Sequence, residues 1–292
     1  MFPPSFRYFA ARSLDEALDL LTRDGEDARL LAGGHSLIPA MKLRLAAPRT
    51  LIDLGRLNDL RGLRVDGDTM AIGALTVHAD VASSDLVRRR LPGLAEAASV
   101  IGDAQVRNRG TIGGSVTHAD PGADFPVILT ALNASFVLVS HAEKRMVSAS
   151  DFFIDFFTTA LATDEILTEI RVPLPPPGAG TAYAKMSHPA SGYVVVSAGA
   201  LLIHQPSGRC ESASIAIGGL GSGPLRARGT EAALQGRALT AEVIAAAAAK
   251  AAEGSNPEGD VYASADYKRH MAAVYARRAI EEAARRSART GG

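Results

Sequence analysis

The stretch Pro173-Leu-Pro-Pro-Pro-Gly-Ala-Gly180 constrains this chain more than any other feature. A proline run cannot continue a helix or supply ladder donors, and the glycines after it loosen the backbone. It predicts a boundary between two organised halves. The length of 292 residues agrees, since single cores usually stop growing at about 250–300 residues. Upstream, Ser13 with Glu16 three residues later reads as a capping box that opens a helix burying Leu14, Ala17, Leu18 and Leu21. Residues 28–32 read as a short buried strand, 37–45 as a helix and 50–54 as the next strand. Leu63 and Val65 face Met70 and Ile72 across a hairpin turn at Asp66-Gly67-Asp68. Helices are expected at about 78–90, 93–101 and 123–132, leaving residues 102–122 as a long polar loop without a regular period. Loops of that length inside a compact domain are usually functional. Downstream, 194–203 and 213–217 read as apolar strands around a Pro206-Ser207-Gly208 turn, followed by alanine-rich helices at about 230–252 and 264–286. Strands and helices in blocks predict an α+β arrangement in each half and not an alternating parallel-sheet unit.

Several function classes are disfavoured by composition. Lys+Arg and Asp+Glu both total 31, so no global field draws the chain to nucleic acid or an acidic membrane. No run of about 18 apolar residues occurs, so no membrane insertion is expected. Met-Phe-Pro-Pro-Ser-Phe-Arg-Tyr lacks the basic lead and apolar core of a signal peptide, and a cytoplasmic location is expected. Cys210 is the single cysteine, which excludes an internal disulfide and a four-cysteine metal or iron–sulfur site within this chain. No metal ligands are expected.

The chemistry concentrates in two glycine loops. Ala32-Gly33-Gly34-His35-Ser36 follows a buried strand, and Gly110-Thr111-Ile112-Gly113-Gly114-Ser115 lies in the long loop. Paired glycines let backbone approach a bulky ligand and turn successive N–H groups toward an anion. Ser36, Thr111 and Ser115 add hydroxyls to the same turns. No G-x-G-x-x-G opens a helix after a strand, and Pro224 interrupts the glycine cluster Gly218 to Gly223. No G-x-x-x-x-G-K-[ST] is present either. The residues themselves lead to an anion or nucleotide binder with two loops, with the alternative that both loops are tight turns.

Ala32-Gly-Gly-His-Ser-Leu-Ile-Pro-Ala-Met-Lys-Leu-Arg-Leu45, Ile72-Gly-Ala-Leu-Thr76, Val106-Arg-Asn-Arg-Gly-Thr-Ile-Gly-Gly114, Ala119-Asp-Pro-Gly-Ala-Asp124, Glu165-Ile-Leu-Thr-Glu-Ile-Arg-Val-Pro173 and Tyr183-Ala-Lys-Met186 together resemble one family. It is the FAD-binding medium subunit of molybdenum hydroxylases, the xanthine dehydrogenase and carbon monoxide dehydrogenase group. The resemblance covers nearly the whole chain in order. It implies a two-part PCMH-type FAD-binding domain over 1–175, with subdomains of about 1–57 and 58–175, and a smaller α+β domain over 179–286 with a three-stranded sheet plus helices. It also implies an oxidoreductase subunit without catalytic residues of its own. That subunit takes electrons from an iron–sulfur (2Fe-2S) small subunit beside a molybdopterin-containing large subunit, in a dimer of heterotrimers, and passes them to an external acceptor.

By the same resemblance, Ala32, Gly33, Gly34, His35 and Ser36 would cradle the FAD diphosphate together with Thr111, Ile112, Gly113, Gly114 and Ser115. Asp124 would accept from ribityl or ribose hydroxyls, and Leu167 would contact the ring system. Lys185 would approach the pyrimidine edge, and Tyr193 matches the aromatic position that packs on the ring in the carbon monoxide dehydrogenase branch. Ser115 and His118 replace the asparagines common on the xanthine dehydrogenase side. Two other classes stay open at this point: a self-sufficient flavin oxidase of the vanillyl-alcohol-oxidase type, with His35 as a covalent anchor, and a flavin-free assembly subunit.

Overall fold

A computed structural model describes residues 2–205 and 207–289, so Pro206 of the expected turn lies outside the described residues. The capping box forms. Ser13 Oγ accepts from the Glu16 N–H at 3.1 Å, and the Glu16 carboxylate accepts from the Arg12 N–H at 2.7 Å. The helix so opened, Leu14–Asp24, buries Ala17, Leu18 and Leu21 against a parallel sheet ordered Arg7–Ala10, Thr50–Asp53, Ala28–Leu31. This first lobe alternates strand and helix, contrary to the block arrangement expected there. The strand Arg7–Ala10, an edge with two exposed residues, carries no apolar run to announce it and was not expected.

The second lobe is an antiparallel sheet ordered Leu63–Asp66, Thr69–Gly73, Ile166–Pro173, Ser135–Val139, Lys144–Ser148. Its core buries Ile72, Leu94, Phe125, Phe136 and Phe152 completely. The helix expected at 78–90 is divided into His78–Ser83 and Asp85–Arg90, because Ser84 is extended and caps the second piece through its Oγ. Residues 102–122 are not irregular throughout. They hold the helices Ala104–Arg107 and Ile112–His118. A Gly-Gly pair lowers helix propensity by about 1 kcal/mol per glycine, so the second of these is invisible to local pattern. Tertiary bonds replace what propensity lacks: its first two amides donate to Thr76 O and Ala74 O, both at 2.9 Å.

Past the proline run, Ala179–Ser187, Val194–His204 and Cys210–Gly218 form an antiparallel sheet, extended at one edge by the two-residue strand Leu225–Arg226. The long helix Ala265–Arg289 covers one face of it, where a Cβ on Gly180 would collide with the Ala283 carbonyl oxygen. The helix Asp124–Ala131, buried at every position, covers the other, and a Cβ on Gly199 would fall 3.0 Å from Ala131 Cβ. That helix is shared between the second lobe and the C-terminal sheet. Polar bonds close the same seam. Thr181 Oγ1 accepts from the Gly93 N–H at 3.1 Å, and the Glu96 carboxylate accepts from the Tyr183 N–H at 3.0 Å while pairing with Arg286.

Gly180→Val should therefore lift the long helix off the sheet and cost about 1–3 kcal/mol of stability by overpacking. Gly221→Val, with nothing within 4 Å of its Cβ, should leave the urea midpoint unchanged. Equal midpoints for both variants would contradict this packing.

Candidate functional site

Two loops from different lobes meet backbone to backbone. A Cβ on Gly33 would overlap Arg109 O and lie 2.8 Å from Gly110 Cα, so only glycine permits the approach. Gly34 has φ +75°, the left-handed region that glycine occupies without cost. Gly113 is held as closely against the second lobe's sheet, where its Cβ would fall 2.6 Å from Ala74 Cβ.

The two loops differ in what they leave free. The amides of Gly33, Gly34, His35 and Ser36 donate to no protein group among the described residues. In the second loop every amide from Ile112 to Ser115 is engaged: with Thr76 O, Ala74 O, Thr111 Oγ1 and Thr111 O respectively. The first loop therefore leaves a run of main-chain donors open, which could hold an anion. The second offers close approach and the Ser115 hydroxyl, not convergent amides.

Both loops line a cavity of about 890 Å³. That volume stands at the upper end of the roughly 300–1,000 Å³ typical of small-molecule sites. Ala32 to Ser36, Thr111, Gly113, Gly114, Ser115, Asp124, Leu167 and Tyr193 all contribute to its wall. Ile112 and Lys185 do not: Ile112 is fully buried in the core, and Lys185 lies behind Asp124. Leu167 is presented at a β-bulge, where the register of its strand against Ser135–Val139 shifts between Leu167 and Glu169. Tyr193 is half-exposed at the cavity's C-terminal-domain end, packed on Gly122, whose Cβ would fall 3.0 Å from the Tyr193 Cδ1. His118 also reaches the wall, its ring 5.1 Å from that of Phe157.

Electrostatics centre on Asp124. Its carboxylate accepts from the Tyr183 hydroxyl at 2.8 Å and from Lys185 Nζ at 2.9 Å, and Nζ also donates to Val100 O at 3.2 Å. The two side chains of the ion pair are 3% and 5% exposed, so this is a buried pair. Burial pushes the Asp124 carboxyl up to about 6, against the opposing pull of Lys185 and Tyr183, and the carboxylate is still the form present at neutral pH. Burial also raises the Tyr183 hydroxyl well above its ordinary value, with Asp124 adding to it, so it remains a donor. Across the cavity, the Arg145 guanidinium holds the Glu165 carboxyl below its usual range. Tyr183, Phe157 and His78 escaped sequence reasoning. Tyr183 heads a motif already noted, and His78 stands two residues after another, but nothing local marked Tyr183 as a partner of Asp124 or His78 as part of the wall.

Four free main-chain donors and glycines that allow close approach suit a long ligand bearing a diphosphate. Among the described residues, no group of three or more His, Cys, Asp or Glu could hold a metal, and no helix is long and apolar enough to cross a membrane.

Comparison with known proteins gives a consistent result. Residues 4–175 match the family model described as the FAD binding domain in molybdopterin dehydrogenase. Residues 181–283 match that of the CO dehydrogenase flavoprotein C-terminal domain. The chain is 44% identical to the carbon monoxide dehydrogenase medium chain of Hydrogenophaga pseudoflava, over 97% of this chain and 98% of that one. It is 40% identical to the glyceraldehyde dehydrogenase medium chain of Sulfolobus acidocaldarius, over 97% and 100%. The solved structure of carbon monoxide dehydrogenase from Hydrogenophaga pseudoflava lacking the Mo-pyranopterin moiety superposes with a TM-score of 0.94, at 44% identity, covering 98% of this chain and 99% of that one.

Removing one partner of a buried ion pair typically costs about 3–5 kcal/mol, because the other charge is left unmatched. Lys185→Met should be destabilised by that amount at pH 7. The double variant Asp124→Asn/Lys185→Met should recover most of it, as measured by urea denaturation. The sign with pH follows from the raised carboxyl. The folded state binds this proton more tightly than the unfolded chain, whose value is near 3.8, and losing Lys185 lifts the folded value above about 6, so Lys185→Met should regain stability as pH falls from the alkaline side through 7 toward 6. A deficit that stays constant over that window would separate Asp124 from Lys185.

Proposed function

Because this chain belongs to the family of FAD-binding medium subunits of molybdenum-dependent dehydrogenases, we propose that it serves as the electron outlet of such a complex. In this role it receives electrons from an iron–sulfur (2Fe-2S) subunit and delivers them to an external acceptor. FAD, the family's cofactor, supplies the ability to accept electrons singly and release them in pairs. The chain's own residues hold, orient and tune. The cradle Gly33 to Ser36 takes the diphosphate through main-chain donors, and Ser115 adds its hydroxyl from the facing loop. Asp124, ionised and fixed by Tyr183 and Lys185, accepts from sugar or ribityl hydroxyls. Leu167 and Tyr193 contact the ring system at the cavity's other end. Lys185, with its ammonium engaged by Asp124 and Val100, acts through that carboxylate.

The observation that carries this reading is the backbone-to-backbone meeting of two glycine loops beside four unengaged amides. The assembly is a dimer of heterotrimers in the cytoplasm, completed by a molybdopterin-containing large subunit. Medium chains named for carbon monoxide and for glyceraldehyde dehydrogenases align with this one along nearly their whole lengths. Choice of substrate therefore belongs to another polypeptide of the complex.

The full chain should bind one FAD and prefer it over FMN by at least tenfold in a fluorescence titration, because the cradle addresses a diphosphate. Acid should release all of the yellow colour. Equal affinities would remove the diphosphate cradle, and colour retained on denatured protein would favour the covalently anchored oxidase through His35. From the native host, the chain should co-purify with an iron–sulfur polypeptide. Turnover of an organic substrate by this chain alone would overturn the subunit role.

A further inference from the structure

His78 is a buried histidine that no part of the protein satisfies. It is 5% exposed, lies at the start of the helix His78–Ser83, and forms part of the cavity wall. Its Nδ1 is enclosed and meets no partner. Its Nε2 also lacks a protein partner but is not enclosed. The backbone fixes the ring: the His78 N–H donates to Gly110 O at 3.0 Å, and Phe125 packs edge-on at 5.2 Å between ring centres. A Cβ on Gly110 would fall 2.5 Å from His78 Nε2, so the imidazole lies directly against the glycine whose Cα Gly33 also approaches. Gly33, Gly110 and His78 therefore form a continuous stack at the seam between the two loops, with no side chain interposed.

We propose that His78 is a binding residue for the flavin nucleotide, its Nε2–H donating to a diphosphate oxygen at this seam. The proposal rests on the function assigned above. The tautomer follows from cost. A buried N–H with no acceptor is rarely tolerated, whereas an unused lone pair is tolerated more often, so the proton belongs on Nε2. Burial pushes the imidazole down to about 4, with His35 and Arg107 adding to it, so the ring is neutral at pH 7 and has a single N–H to offer. The Arg107 guanidinium that acts on it is a fixed cation, which suits an anion placed beside it and not an imidazolium. A histidine serving only to fill the core would have no use for two unengaged nitrogens. Phenylalanine would pack on Phe125 equally well.

That contrast supplies the test. In the full chain freed of flavin, His78→Phe should melt at or above the wild-type temperature, because an unsatisfied buried nitrogen is removed. Its affinity for FAD should fall about tenfold or more, as expected for one lost hydrogen bond to a charged acceptor. ADP, titrated as a competitor, should lose affinity in parallel, since it carries the diphosphate without the flavin. Unchanged FAD affinity in a folded His78→Phe variant would overturn the proposal. So would a loss confined to FAD with ADP unaffected, because the contact would then lie elsewhere. Should the variant not fold, the wild-type chain labelled with ¹⁵N-histidine decides. FAD should shift the His78 Nε2 resonance in the manner of a hydrogen-bonded donor, and an unmoved resonance refutes the contact. Failure of the wild-type chain to bind FAD at all would instead defeat the assigned function.

Discussion

Asp124 stands at the first position of a helix buried along its whole length, and a carboxylate there must be matched or neutralised. The match comes from outside its own domain, from Lys185 and Tyr183 on the first strand of the C-terminal sheet. The match ties three things together. It fixes the register of the C-terminal sheet against the shared helix, keeps an ionised acceptor in the cavity wall, and sets the sheet whose second strand begins just after Tyr193, a residue of the same wall. The glycines at 199 and 218 are the steric counterpart of this bond, since a side chain at either would press on the shared helix. Electrostatic demand and close packing thus fall on one surface, and the site inherits its rigidity from the domain interface.

Much of this was legible from the chain alone. The capping box at Ser13, the strand at Ala28–Leu31 and the hairpin at Asp66 are local signals with local causes, and each appears where its chemistry requires. The helix Ile112–His118 was not legible, because its stability comes from carbonyls at 74 and 76 and not from its own glycine-containing sequence. Strand Arg7–Ala10 was missed for a similar reason: parallel pairing with Thr50–Asp53, distant in sequence, makes it a strand. Lys185 appeared from sequence as a group facing the ligand. Its position behind Asp124 depends on which strand neighbours which helix, and that is a property of topology.

The two glycine loops show how one residue type can serve unlike ends. In the first, glycine frees amides for a ligand. In the second, it lets a helix settle onto a sheet whose carbonyls then consume the amides. Sequence spacing treats these loops as equivalents, and only the hydrogen-bond inventory separates them. The cavity wall offers main chain and neutral side chains, and its buried carboxylates, Asp124 and Glu165, are each balanced within the protein.

The pairing of Glu96 with Arg286 joins residues 190 positions apart, through a helix that also roofs the sheet carrying Lys185. A ribosome that has just released Tyr193 has delivered every residue of the cavity wall, yet the sheet that holds Tyr193 in place still lacks its neighbouring strand and its cover. Its apolar face would meet water until the long helix emerges. The pocket is thus assembled last although its parts are made early, and flavin loading becomes an event for the finished polypeptide, after translation and not during it.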